Sequence, residues 1–215
     1  IQDKADPWHE FKDGVRYVLH QRLFLTLILL TWISMFFGTS FVQIMPIFAD
    51  IFHSGERGYG LLISATGLGS VTGNLFISHF QQSRRLGLMM LTCAALAPFA
   101  LAGFSLVTGT LANAAGAFWL ACFFAVLASA FSSVFLVSSM TVLQLKVPDN
   151  LRGRVMGIHS ITFSMIALGG LASGALATKF SAPVAVVIGA VVVLASVIWV
   201  TIRQGEIISL DGSQL

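Results

Sequence analysis

Charged residues divide this chain into long apolar intervals. Asp, Glu, Lys and Arg are absent from 23–49, 58–83, 86–145, 155–178 and 180–202, and the interval from Leu86 to Leu145 runs sixty residues. A helix crosses a hydrocarbon core about 30 Å thick with roughly 20 apolar residues, so each shorter interval is one span and the long one is two. Thr108, Gly109, Thr110, Asn113 and Gly116 supply the turn between those two. The pattern predicts an all-α integral membrane protein with six transmembrane helices, at about 23–49, 59–80, 86–107, 117–145, 155–178 and 182–202, within a bundle covering 23–204.

Ahead of the first span, Trp8, Phe11, Val15, Val18 and Leu19 recur at helical spacing among His9, Glu10, Lys12, Asp13 and Arg16. That is the signature of an amphipathic helix lying in the interface, here read as a linker over residues 1–22. Residues 205–215 are polar and aperiodic and read as a tail. The first residue is Ile1 rather than Met, and no signal segment is visible, so the chain reads as a piece of something longer.

Composition narrows the class. With 56% hydrophobic and 10% charged residues, the chain lacks the charged surface that a soluble domain of 215 residues needs. Six spans put both ends on one side, which then holds Lys4, Lys12, Arg16, Arg22, Arg84, Arg85, Lys146, Arg152, Arg154 and Arg203, against Arg57 and Lys179 on the other. Since Lys and Arg stay on the cytoplasmic side of inserted helices, both termini are expected to be cytoplasmic. The net charge of +3 follows from this bias, and no basic stripe interleaved with aromatics suggests a nucleic-acid partner. Cys93 and Cys122 lie in apolar stretches, where a small soft side chain packs readily.

Two landmarks recur about a hundred residues apart. Pro46 and Pro148 close the first and fourth spans, and Gly69-x-x-x-Gly73 and Gly170-x-x-x-Gly174 lie on the second and fifth. The bundle therefore reads as two three-helix repeats, inverted because three crossings reverse the direction of travel. Small residues four apart let helices approach closely where the hydrophobic effect does not drive pairing. The glycine faces are consistent with packing inside this bundle and with packing against an opposing one.

Polar side chains within spans are the candidates for function, because an unpaired polar group in hydrocarbon is costly. The fourth span carries Ser129, Ser132, Ser133, Met140 and Gln144 at roughly helical spacing, and the first carries Thr31, Ser34, Ser40 and Gln43. These two helices are expected to line a cavity, with Gln43, Ser133, Met140 and Gln144 as its contacts and Asn74 a further polar group that cannot be hidden by a backbone bond. No carboxylate lies mid-span; Asp50 reads as a solvated helix end, and His159 and His79 as interfacial residues. Ser173 has no base within reach, since His159 is about 21 Å away along a continuous helix at about 1.5 Å per residue, so a serine hydrolase is excluded. Neither catalysis, a metal nor a cofactor is implied.

Between the fourth and fifth spans, Val147-Pro148-Asp149-Asn150-Leu151-Arg152-Gly153-Arg154-Val155-Met156-Gly157 reads as a tight turn with a helix stop at Pro148 and a cap at Asp149 or Asn150. Its arginines suit either a gate whose pairs break as the bundle moves or simple positive-inside anchoring.

This run resembles the loop between the tenth and eleventh helices of major facilitator superfamily transporters, especially the branch of the enterobactin exporter and macrolide efflux pumps. Gly14-Val15-Arg16-Tyr17-Val18 resembles that branch's approach to its seventh helix, Met45-Pro46-Ile47-Phe48-Ala49 the end of that helix, and Tyr59-Gly60-Leu61-Leu62 the start of the eighth. The resemblance implies the carboxy-terminal half of a twelve-helix secondary transporter in a bacterial inner membrane, a proton-coupled exporter (antiporter) of a small organic compound. Its partners are then a small-molecule substrate, the lipid bilayer and an amino-terminal six-helix half. It implies a cytoplasmic gate containing Arg84, Arg85, Asp149, Arg152 and Arg154, and packing of Gly69, Gly73, Gly170 and Gly174 against the other half. Gln81-Gln82-Ser83-Arg84-Arg85-Leu86-Gly87 keeps the family's arginines and glycine but lacks its acid. The rival from another class is a non-transporting assembly or scaffold subunit that binds partners through the glycine faces.

Overall fold

The computed structural model describes residues 7–80 and 86–204, and across them the chain is helical. A first helix, α1 (Pro7–His20), precedes six segments long and apolar enough to cross a membrane. Span 1 (Arg22–Ile51) joins α2 (Arg22–Ile33) through irregular backbone to α3 (Met45–Ile51). Spans 2, 3 and 4 are α4 (Gly55–Phe80), α5 (Leu86–Thr110) and α6 (Ala117–Lys146). Span 5 combines α7 (Asp149–Ser160) with α8 (Thr162–Lys179), and span 6 is α9 (Ala182–Arg203). The expected all-α membrane bundle of six spans is what forms.

The turns follow from local chemistry. Gly116, with φ 83°, occupies the left-handed region that only glycine enters freely, and α6 starts at the next residue. Ser181 caps α9 by accepting from Val184 N at 3.4 Å, with Pro183 in the first turn where its missing N–H costs nothing. Val147 is extended, as the residue before a proline should be, and ends α6. Pro148 itself then occupies the N-cap of α7 without a side-chain cap, so Asp149 falls in the first helical turn rather than capping it.

Pro46 behaves differently from the expectation that it closes span 1. It sits in the first turn of α3, and the helix continues to Ile51. Upstream, Ser34–Thr39 winds as a π-helix and Ser40–Ile44 as a 3₁₀-helix. The proline nitrogen cannot donate to a preceding turn, which is compatible with the helix tightening and restarting there.

Two apolar clusters fill the bundle. One, at the end where α2 begins, includes Leu27, Leu30, Met90, Phe135, Leu143 and Val155. The other surrounds Phe104, which is fully buried, with ring centroids of Phe41 and Phe48 at 5.6 and 4.8 Å. Burial in lipid gains little from the hydrophobic effect, so close backbone approach matters more. A methyl group at Gly73 would stand 2.5 Å from the Ala130 carbonyl oxygen, and one at Gly69 would overlap that of Val126, so α4 and α6 touch backbone to backbone. Gly169 of α8 and Gly189 of α9 do the same against the carbonyls of Phe36 and Phe37, clamping the π segment from two sides. Hydroxyl pairs add cross-links: Thr31 with Ser139 at 3.1 Å, and Ser40 with Ser173 at 3.0 Å.

Candidate functional site

The wide π turn and a line of small polar residues on α6 leave a space that the core does not fill. A cavity of about 160 Å³ is bounded by Met35, Thr39, Phe41 and Val42 of span 1, Thr66 and Ser70 of span 2, Ser129, Ser132, Ser133 and Leu136 of span 4, and Ile166 of span 5. On α6 the positions 129, 132, 133 and 136 share a face by the three-and-four spacing of a helix, as do 66 and 70 on α4. Small side chains at these places keep the space open, while Met35, Phe41 and Leu136 give it an apolar wall.

Its hydrogen bonding is partly internal. Thr66 Oγ1 donates to Ile63 O at 2.7 Å and Ser70 Oγ to Thr66 O at 3.1 Å, the usual way a hydroxyl is hidden in a helix. Ser133 Oγ donates across to Asn74 Oδ1 at 2.6 Å, with Ser70 O at 3.3 Å behind it. Thr39 Oγ1, at the end of the π segment, is buried without a partner. A buried hydroxyl left this way costs free energy that a bound polar group would recover. Among the described residues no ionisable side chain lines the cavity, so its walls offer hydroxyls and apolar contact rather than an ion pair.

Of the four expected cavity contacts, Ser133 lies on this cavity. Gln43 is exposed on the neighbouring face of span 1, its Cγ 2.7 Å from where a methyl group at Gly170 would stand. Gln43 and Gly170 line an open groove with Leu171 and Gly174 instead. Met140 and Gln144 continue the Ser133 face seven and eleven residues on, about 10 and 16 Å along the helix. Both are exposed, and neither borders the cavity.

The expected gate residues separate. Arg152 Nη2 is 2.7 Å from Asp149 Oδ1, an exposed pair within one turn of α7. Arg154 is half-buried where α7 meets α1, with a methyl at Gly14 falling 2.9 Å from its Cβ. Arg84 and Arg85 lie outside the described residues. Among the glycines, Gly69 and Gly73 meet α6 of the same bundle and Gly170 meets Gln43, whereas nothing stands within 4 Å of a methyl group at Gly174.

Thr39 and Thr66 were not singled out by sequence reasoning. Threonine in a span is ordinarily self-satisfied, whereas the Thr39 hydroxyl, at the end of the π segment, has no partner. His159, expected at the interface, is 2% exposed with Nε2 unpartnered, and the Thr162 hydroxyl one turn later is unpartnered too. Ser173, considered as a nucleophile, is engaged with Ser40. Among the described residues no group of His, Cys, Asp and Glu is arranged to hold a metal ion.

Comparison with models of protein families matches residues 27–209 to the Major Facilitator Superfamily. Neither curated proteins nor solved structures gave a match.

Proposed function

We propose a transport function from the premise that this chain belongs to the Major Facilitator Superfamily, a family of membrane transporters. Its fold is of the transporter type, multi-pass and lipid-embedded. Our reading is that it forms the carboxy-terminal six-helix half of a secondary transporter that exports a small organic compound, of drug or siderophore type, by alternating access. The observation that carries this reading is the hydroxyl-lined cavity between spans 1, 2, 4 and 5, with its unpaired Thr39 hydroxyl.

The bulk of spans 2, 4 and 5 supports an opposing half. They are the least buried of the six, at 33%, 33% and 28%, below span 6 at 39% and spans 1 and 3 at 56% and 61%. Leu68, Leu75 and Leu171 are 62%, 67% and 75% exposed, and the groove at Gln43 and Gly174 is open. On this reading the amino-terminal half covers the cavity and supplies the proton-coupling residue, since the carboxylates at the ends of the described spans, Asp50, Glu56 and Asp149, are exposed and none lines the cavity. The termini face the cytoplasm of a bacterial cell, following the ten-to-two split of basic residues. Arg152 and Asp149 then act in the cytoplasmic gate, their exposed pair being weak enough to break with each cycle.

The test is efflux of fluorescent drugs and siderophores from cells expressing the full-length parent, with and without a protonophore. Protonophore-sensitive efflux that weakens in Ser133→Ala is expected. Normal insertion with no efflux of any compound, or efflux untouched by the protonophore, would overturn the exporter or its proton drive respectively.

A further inference from the structure

We infer that the groove between α2 and α9, on the outer surface of the bundle, is a binding site for one anionic phospholipid. This inference depends on the chain spanning a membrane and not on what it transports. The groove holds about 230 Å³ and is walled by Leu25, Leu29 and Ile33 on one helix and Ser196 and Trp199 on the other. Arg22, the first residue of span 1, and Gln204, the residue after span 6, meet at its mouth. Gln204 Nε2 donates to Thr26 Oγ1 at 2.5 Å, which fixes the amide over a buried threonine.

Length and charge together select the occupant. From Arg22 to Ile33 the groove runs about 16 Å at about 1.5 Å per residue, close to one leaflet of a hydrocarbon core about 30 Å thick. Its walls open outward, with Leu29 44% and Trp199 57% exposed, so at membrane depth they meet acyl chains rather than water. Trp199 sits where an amphipathic ring favours the headgroup boundary. At the mouth the charge is positive: Arg22 is exposed, and among the described residues no acid lines the groove. A ligand that satisfies both ends has a phosphate at the surface and a hydrocarbon tail in the leaflet. A guanidinium matches a phosphate through paired N–H donors, and a headgroup of net negative charge is favoured over a zwitterionic one because no described residue at the mouth offers an acid to its ammonium.

The protein reconstituted in vesicles of phosphatidylcholine, with brominated phosphatidylglycerol or brominated phosphatidylcholine added, provides the test. Bromine quenches a tryptophan that it touches. Brominated phosphatidylglycerol should quench at the lower mole fraction; Arg22→Gln should raise that mole fraction about fivefold, from the roughly 1 kcal/mol that one basic residue contributes near an anionic surface. Arg22→Lys should keep the preference, and Trp199→Phe should remove the preferential component. Equal quenching by the two lipids in the parent protein, an unchanged preference in Arg22→Gln, or a preference that survives Trp199→Phe would each overturn the site.

Discussion

Gly73 and Gly174 each end a Gly-x-x-x-Gly pair on a spanning helix, yet their surroundings are opposite. Replacing Gly73 by Ala puts a methyl group 2.5 Å from the Ala130 carbonyl oxygen and 3.0 Å from its Cα. Carbon and oxygen in contact settle at about 3.3–3.6 Å, so α4 and α6 must part by roughly 1 Å along a contact that also includes Gly69 and Val126. At Gly174 nothing lies within 4 Å. Both substitutions gain about 1 kcal/mol of helix propensity, which cancels when the two variants are compared. What remains is overpacking, about 1–3 kcal/mol. At about 2–4 °C per kcal/mol for a chain of this size, Gly73→Ala should unfold about 2–12 °C below Gly174→Ala in one detergent. Thermal unfolding followed by tryptophan emission reads this directly. Equal midpoints, or a lower midpoint for Gly174→Ala, would show that the α4–α6 backbone contact does not limit stability.

Phe104→Ala removes a fully buried ring from between Phe41 and Phe48 and should cost about 3–5 kcal/mol, read as loss of the monodisperse peak in size-exclusion chromatography. A double-mutant cycle of Thr31→Val with Ser139→Ala should return a coupling near 0.6 kcal/mol, about the average for hydrogen bonds between membrane helices; denaturant unfolding measures it. Arg152→Ala should lower stability by less than about 1 kcal/mol, because its pair with Asp149 is exposed, so a variant with lost transport and an unchanged unfolding midpoint would support a gating role. Ser133→Ala strands Asn74 Oδ1 and should weaken substrate affinity more than it lowers the unfolding midpoint, measured as a raised half-saturating concentration for efflux.

Hydrophobic patterning made the membrane class and the number of spans legible, because exclusion of charge over about 20 residues is a direct demand of lipid. It carried no information on how the backbone winds inside a span. The stretch Ser34-Met35-Phe36-Phe37-Gly38-Thr39 reads as ordinary apolar helix, yet it winds as a π-helix packed against Gly169 and Gly189 from the far end of the sequence. Thr39 therefore stayed hidden as a cavity residue. Ser133, Met140 and Gln144 were read from one polar stripe on the fourth span, of which the cavity of about 160 Å³ takes up the part around Ser133. Polarity marks a side chain that avoids lipid; it does not say whether the refuge is a cavity, a groove or an exposed face. The glycine pairs were similarly legible as close-packing surfaces but not as to partner, and three of the four find that partner within the chain.

The residues that let α4 and α8 lie against their neighbours also bear on how the protein is made. Glycine, serine and asparagine gain little on entering lipid, and spans 2 and 5, which carry the glycine faces, are the least apolar of the six. Each is followed by a more apolar span after a short connection. During synthesis spans 2 and 5 are thus expected to partition into the bilayer together with the spans that follow them, as hairpins, so the tight contacts of the finished bundle set a requirement on the order in which its helices leave the translocon.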